Sequence, residues 1–299
     1  MRKLIIEARV NEYAMRHGNP HIPWTPEELG REAAAVRAAG ASIMHFHART
    51  PTGAPEHSTA AYGDILRRVR AAAPDLLVHP TLGQITQQDH ATRIGHILEL
   101  ARDPLLRPEF ASVDLGSTNI DVYAGPSCGF TTEAKTYANP TGVLLGFLRA
   151  LRAAGVRPTL ACWAVPFLRT LDALMEMGEA PEPAWVLLVH TEGGILGGHP
   201  ATSEGLRAFR DFMPRRELHW SVCCKEGNLL PLAAEAIACG GHVAIGIGDY
   251  PYPHLGGPTN AELVAEVVKL ARRAGREVAT PAEAREMLGL PPLETARAG

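Results

Sequence analysis

Thr25-Pro26-Glu27-Glu28 opens an Ala- and Arg-rich run to Ala39, and Gly40-Ala41-Ser42-Ile43-Met44-His45-Phe46-His47-Ala48-Arg49 follows directly. Thr25 offers an N-cap oxygen, Pro26 suits the first helical position, and Glu28 closes a capping box. Gly40 ends the helix, because glycine enters the left-handed conformation without a Cβ penalty. An apolar run begins at once, so one helix gives way to one short strand. The same alternation recurs outward in both directions. Apolar runs lie near 4–10, 41–47, 75–79, 110–115, 157–163, 184–190, 217–223 and 242–248, and helix patterns near 25–39, 58–73, 86–102, 141–154, 166–178, 202–213, 227–239 and 259–274. Eight strand-then-helix units predict an α/β fold, a parallel (β/α)8 TIM barrel. It is read as a single domain over 1–299 with a C-terminal helical extension. An open doubly wound sheet would carry a glycine-rich phosphate loop after its first strand, and Asn11-Glu12-Tyr13-Ala14 has none.

Composition narrows the function classes. The 299 residues are 46% apolar and 20% charged, with a formal net charge of -3. No basic block marks a nucleic-acid partner. No apolar run of about 18 residues marks a membrane span. The start, Met1-Arg2-Lys3-Leu4-Ile5-Ile6-Glu7, meets a carboxylate after three apolar residues, unlike a secretory signal. Five cysteines, with Cys223 and Cys224 adjacent and Cys128, Cys162 and Cys239 scattered, form neither a disulfide framework nor a zinc knuckle. A reducing cytoplasm is expected.

In such barrels chemistry sits at the carboxyl ends of the strands. Side chains alternate along a strand, so His45 and His47 share the inward face while Met44 and Phe46 face the helices. Two imidazoles there form a ligand pair for zinc or a similar divalent ion; a hydrogen-bonded pair orienting a substrate is the alternative. Strand one puts Glu7 and Arg9 inside the barrel, as site groups or as a structural ion pair, since unpaired buried charges are costly. His79-Pro80-Thr81-Leu82-Gly83 and Asp114-Leu115-Gly116-Ser117-Thr118-Asn119 offer hydroxyls and amides that hold an oxygen ligand or serve their own turns. The loop from His190 to Pro200, with Gly193 and Gly194, permits close approach of an anionic or extended ligand such as a cofactor. Asp249 stands at the mouth after strand eight. Trp163, Tyr250 and Tyr252 near strand ends form an aromatic wall or pack on helices. Cys223 and Cys224 read as packing.

Taken together, these segments resemble the β-keto acid cleavage enzymes. The likeness is carried by Asn19-Pro20-His21-Ile22-Pro23-Trp24-Thr25-Pro26-Glu27-Glu28, Gly40 to Arg49, Arg107-Pro108-Glu109-Phe110-Ala111-Ser112, Gly116-Ser117-Thr118-Asn119, Gly240-Gly241-His242-Val243 and Gly275 to Arg285. It runs over nearly the whole chain. The resemblance implies a zinc barrel, a homo-oligomer of tetramer type, that condenses a β-keto acid with acetyl-CoA and splits the adduct into acetoacetate and a CoA ester. It carries His45 and His47 over as metal ligands, Asp249 as the base, and Thr81 and Ser117 as substrate-holding hydroxyls.

The last strand departs from that pattern. His242-Val243-Ala244-Ile245-Gly246-Ile247-Gly248-Asp249 has Ala244 where the family places an arginine and Gly248 where it places a metal-binding glutamate. The family's strand-five glutamate falls at Ala161. In a closed barrel strand one adjoins strand eight, so Glu7 is read as the replacement ligand and Arg9 as the replacement guanidinium. His79 is the rival third ligand; Glu192 and Glu226 are weaker candidates. A CoA-independent metal hydrolase or aldolase, and a non-catalytic binding subunit, are the alternative functions.

Overall fold

A computed structural model describes residues 2–82 and 89–292. The strands are β1 (Ile6–Arg9), β2 (Ile43–Phe46), β3 (Leu77–Pro80), β4 (Phe110–Asp114), β5 (Arg157–Cys162), β6 (Ala184–Thr191), β7 (Leu218–Lys225) and β8 (His242–Ile245). They form one eight-stranded sheet in the order β3-β2-β1-β8-β7-β6-β5-β4, parallel at each paired neighbour. The sheet curls into a nearly closed barrel, with β1 between β8 and β2. Around it run α1 (Pro26–Ala39), α2 (Thr59–Ala72), α3 (His90–Leu100), α4 (Thr141–Ala154), α5 (Val165–Glu176), α6 (Ser203–Asp211), α7 (Leu230–Ala238) and α8 (Asn260–Arg273). The helical extension is α9 (Pro281–Met287).

Local chemistry sets these boundaries. The capping box of Thr25 and Glu28 is formed, and Gly40 closes α1 with φ of 119°. Gly83 and the predicted helix start at 86–88 lie outside the described residues. β7 runs two residues beyond its expected end, to Lys225, and this lengthening places a cation at the barrel mouth. A two-residue antiparallel ladder, Thr118–Asn119 with Thr136–Tyr137, sits in the loop after β4; the apolar-run reading gave no sign of it.

Two packing layers position the site. Met44 and Phe46 pack outward with Tyr62 and Leu66 of α2, as the alternation predicts. Inside the barrel, Ile5, Ile43, Leu77, Phe110 and Trp185 pack with Ala279, Ala284 and Leu288. The C-terminal extension therefore plugs the amino-terminal end of the barrel. Arg285 locks it there, donating from Nη2 to Glu109 Oε1 at 2.6 Å. Glu109 Oε2 in turn accepts the Val78 backbone N–H at 2.9 Å. With the lower end filled by apolar side chains, polar groups gather at the carboxyl ends of the strands.

Candidate active site

The chain leaves β1 through Asn11 and Glu12 and turns under the end of β2. Asn11 extends the sheet with its side chain: Oδ1 accepts the His47 N–H at 2.8 Å and Nδ2 donates to the His47 carbonyl at 2.8 Å. His47 is thereby fixed one residue past the strand. Glu12 adopts a left-handed φ of 37°, uncommon for a residue with a Cβ. Its carbonyl accepts from Arg49 Nη1 at 2.7 Å, which helps hold this strained turn. The outcome is a carboxylate aimed at both imidazoles: Oε1 lies 2.9 Å from His45 Nε2, and Oε2 lies 3.2 Å from His47 Nε2. The two Nε2 atoms are 3.3 Å apart. Donors held about 2.0–2.1 Å from a tetrahedral ion are roughly 3.3 Å apart, so this spacing fits a divalent metal. Burial, against the pull of Glu12, lowers the pKa of His45 to about 3 and lowers that of His47, so both rings are neutral, as ligands must be. Nδ1 of each has no hydrogen-bond partner among the described residues, leaving the ring proton free to sit there and expose the Nε2 lone pair.

Glu7 does not join this pair. It is fully buried one layer lower and groups with His45 and His79, whereas Glu12 groups with His45 and His47. The reason lies in the alternation itself: two residues of strand rise separate Glu7 from Arg9, and Glu12 alone reaches the level of His47. Burial opposes ionisation of Glu7, but His79 and Arg9 outweigh it and hold the carboxyl at about 2. Sequence alone does not place Glu12 at the imidazoles, because its position depends on the left-handed turn after β1. The available signal was an acid at the carboxyl end of a barrel strand.

Arg9 occupies the position expected of it. Nε donates to Asp249 Oδ2 at 2.6 Å, Nη1 to Glu7 Oε1 at 3.4 Å, and Nη2 to Glu12. Lys225, also missed, lies 3.1 Å from Glu12 Oε2 and 3.5 Å from Asp249 Oδ1. Burial raises the Asp249 pKa against the pull of Arg9 and Lys225. Three carboxylates (Glu7, Glu12, Asp249) and two basic side chains (Arg9, Lys225) interlock beside the imidazoles in one buried ion cluster.

The other expected residues separate. Thr81 is buried and lines the cavity. Ser117 is exposed, and its Oγ accepts the Asn139 N–H at 2.8 Å, so it serves a turn; Ser112, one strand position inward of Asp114, lines the cavity instead. Gly193 and Gly194 have φ of 59° and 84°, but the close approach they permit is to this chain's own residues. A Cβ on Gly194 would stand 2.2 Å from the Tyr123 carbonyl oxygen, and one on Gly193 would stand 2.6 Å from Glu226 Cβ. His79 is spent on Ser112 Oγ, 2.8 Å away, and on Glu7. Glu192 Oε1 accepts the Ala201 N–H at 2.9 Å, and neither it nor Glu226 lines the cavity. Trp163 does line it; Tyr250 and Tyr252 stack on each other elsewhere. Burial pushes the Cys223 thiol well up, which makes it inert packing.

Arg9, Glu12, His45, His47, Thr81, Ser112 and Lys225 line a cavity of about 230 Å³ at the carboxyl end of the barrel, while Asp249, Glu7 and His79 stand behind its wall. A barrel plugged below, with ionisable groups converging above, is an enzyme of the TIM-barrel class. The chain belongs to the beta-keto acid cleavage enzyme family, whose model matches residues 3–290. The 3-keto-5-aminohexanoate cleavage enzyme of Acetoanaerobium sticklandii is 32% identical over 294 residues, covering 97% of this chain and 99% of that one. The 3,5-dioxohexanoate:acetyl-CoA acetone transferase of Paraburkholderia graminis is 28% identical over 287 residues, covering 91% and 90%. Among solved structures, the ternary complex of ObcA with a C4-CoA adduct and oxalate aligns with a TM-score of 0.67 at 17% identity. That alignment covers 91% of this chain and 68% of the other, and it bears on the fold alone. The apo structure of ObcA is similar, with 66% of its length covered, so this chain spans about two-thirds of that protein.

Proposed function

We propose that this chain condenses a β-keto acid with acetyl-CoA and splits the adduct into acetoacetate and a CoA ester, using a divalent metal such as zinc. The observation that carries the reading is the His45–His47–Glu12 donor set standing beside Arg9 and Lys225 in one cavity, with Asp249 bonded to Arg9 behind the cavity wall. Relatives named as acetyl-CoA transferases favour this reading over a CoA-independent hydrolase. His45, His47 and Glu12 would hold the ion, which would polarise the keto acid's carbonyl and carboxylate oxygens as a Lewis acid.

The chain's own residues account for the rest. By family resemblance Asp249, oriented by Arg9 and raised in pKa by burial, is the group that accepts the proton from the carbon between ketone and carboxylate. The carbanion then attacks the thioester carbon of acetyl-CoA, and the C–S bond breaks to release CoA thiolate. Attack of that thiolate on the substrate's original ketone carbon cleaves the adjacent carbon–carbon bond. This gives the CoA ester and an acetoacetate carbanion that takes the proton back from Asp249. Arg9 and Lys225 remain cationic and stabilise negative charge on oxygen in a largely buried site. Thr81 and Ser112 present hydroxyls to the substrate oxygens. By family resemblance the enzyme works as a homotetramer in the cytoplasm. The described cysteines form no disulfide, and among the described residues no helix is long and apolar enough to cross a membrane.

Metal per chain, measured by plasma mass spectrometry on untagged protein, tests the reading. About one ion per chain is expected, falling at least tenfold in Glu12→Gln. Absence of metal after incubation with zinc would overturn it.

A further inference from the structure

The cavity is charged on one side and apolar on the other, and the strand order dictates this. In a ring of eight, positions four apart are opposite: β2 faces β6, and β1 faces β5. β1, β2 and the loops after them contribute Arg9, Glu12, His45 and His47. The facing strands and their loops contribute Ala161, Trp163, Leu187, Val189 and Ile195, none of them charged.

One carboxylate does stand near that wall, Asp114 at the end of β4. Both its oxygens are already engaged: Oδ1 accepts the Trp163 Nε1–H at 2.7 Å, and Oδ2 accepts the Tyr137 hydroxyl. Those two bonds pin the aromatic rings into the wall, 5.6 Å apart by their centroids. Lys135, which also lines the cavity, is exposed, and Lys225 on the neighbouring β7 is paired with Glu12 and Asp249.

A charged tail buried against Leu187, Val189 and Ile195 would lose its hydration and meet no cavity-lining charged side chain from those residues' strand or loop, which is strongly unfavourable. Asp114 and Lys135 are the charged groups that line the cavity beside this wall. We infer that the β-substituent of the keto acid is uncharged and largely apolar, and that Leu187, Val189 and Ile195 select it. This rests on the metal-end reading above, since that reading places the keto-acid head at β1 and β2 and thus the tail at β5 and β6.

The test compares three keto acids of equal chain length with the metal-loaded enzyme and acetyl-CoA: 3-oxohexanoate, 6-amino-3-oxohexanoate and 3-oxohexanedioate. We expect kcat/KM for 3-oxohexanoate to exceed both others by at least about tenfold. Equal values, or a preference for either charged acid, would overturn the inference; a preference for the amine would mean that Asp114 reads the tail. Acceleration of α-proton exchange of acetoacetate in D2O, which needs no tail, is measured in parallel. Exchange without the tail preference sinks the tail inference alone, whereas no exchange sinks the metal-end reading and the inference with it. A carboxylate introduced into the wall, Leu187→Glu, is expected to move preference toward the amine by at least tenfold. Val189→Asp serves the same purpose should the first variant not fold, and no shift in a folded variant counts against the wall as selector.

Discussion

Glu7 sits at the base of a short series of buried polar groups. Ser112 Oγ is 2.8 Å from His79 Nε2, His79 Nδ1 is 3.2 Å from Glu7 Oε1, and Glu7 Oε1 accepts from Arg9 at 3.4 Å. Arg9 then carries this order to Asp249. The geometry makes Glu7 a positioning residue, not a ligand of the upper donor set. Glu7→Gln should therefore keep its metal, while kcat falls about tenfold and KM changes little, as expected for one charge-assisted hydrogen bond of about 1.5 kcal/mol acting on the base. Metal analysis and steady-state kinetics on the same preparation check this. Metal loss in Glu7→Gln would instead restore it to the ligand set. The sequence showed that Glu7 and Arg9 point inward, because alternation is a local property. It did not show which acid reaches the imidazoles, because that depends on a left-handed turn at Glu12.

At the scale of the element, β8 and β1 explain each other. Just past β8, the backbone of β1 and its continuation packs directly onto Gly246 and Gly248. A Cβ on Gly246 would lie 1.9 Å from the Arg9 carbonyl oxygen, and one on Gly248 would lie 2.7 Å from the Asn11 N. The close approach brings Arg9 to Asp249, and the chain beyond it carries Glu12 beneath His47. A glutamate at 248 and a carboxylate at 12 are thus alternatives set by how tightly the two strands pack. Gly248→Ala is expected to destabilise the protein by about 1–3 kcal/mol through overpacking, seen as a lower denaturant midpoint. It should lower metal content as well, because it pushes on Asn11, which holds His47. A Gly248→Ala variant as stable and as metallated as the parent would contradict this account.

Across the whole molecule, buried neutral histidines tie stability to pH. Burial lowers His96 to about 4 even though it hydrogen-bonds to the Thr81 carbonyl, and burial lowers His190 to about 4 against the Pro200 carbonyl. Their folded pKa values lie below the ordinary value of 6.5. The unfolded chain therefore binds protons that the folded chain does not as pH falls from about 6.5 toward 4. Stability is full above that window and declines through it, with a limiting slope of about 1.4 kcal/mol per pH unit for each ring. Urea unfolding at pH 7 and pH 5 should show the loss, and His190→Gln should reduce it. An unchanged pH dependence in that variant would remove His190 from the account.

The sequence by itself determined the elements and their order. Capping residues, helix-ending glycines and alternating apolar runs act over a few residues, so eight strand–helix units, the inward pair His45 and His47, and the family motifs were all legible. Only the tertiary structure decided which charged groups share a site. Glu12 meets His45 and His47, and Lys225 meets Asp249, across strands far apart in the chain. It also assigned Ser117 and the glycines at 193 and 194 to turns and packing. Those outcomes depend on the register between strands and on the packing of β1 against β8, and no local pattern encodes either.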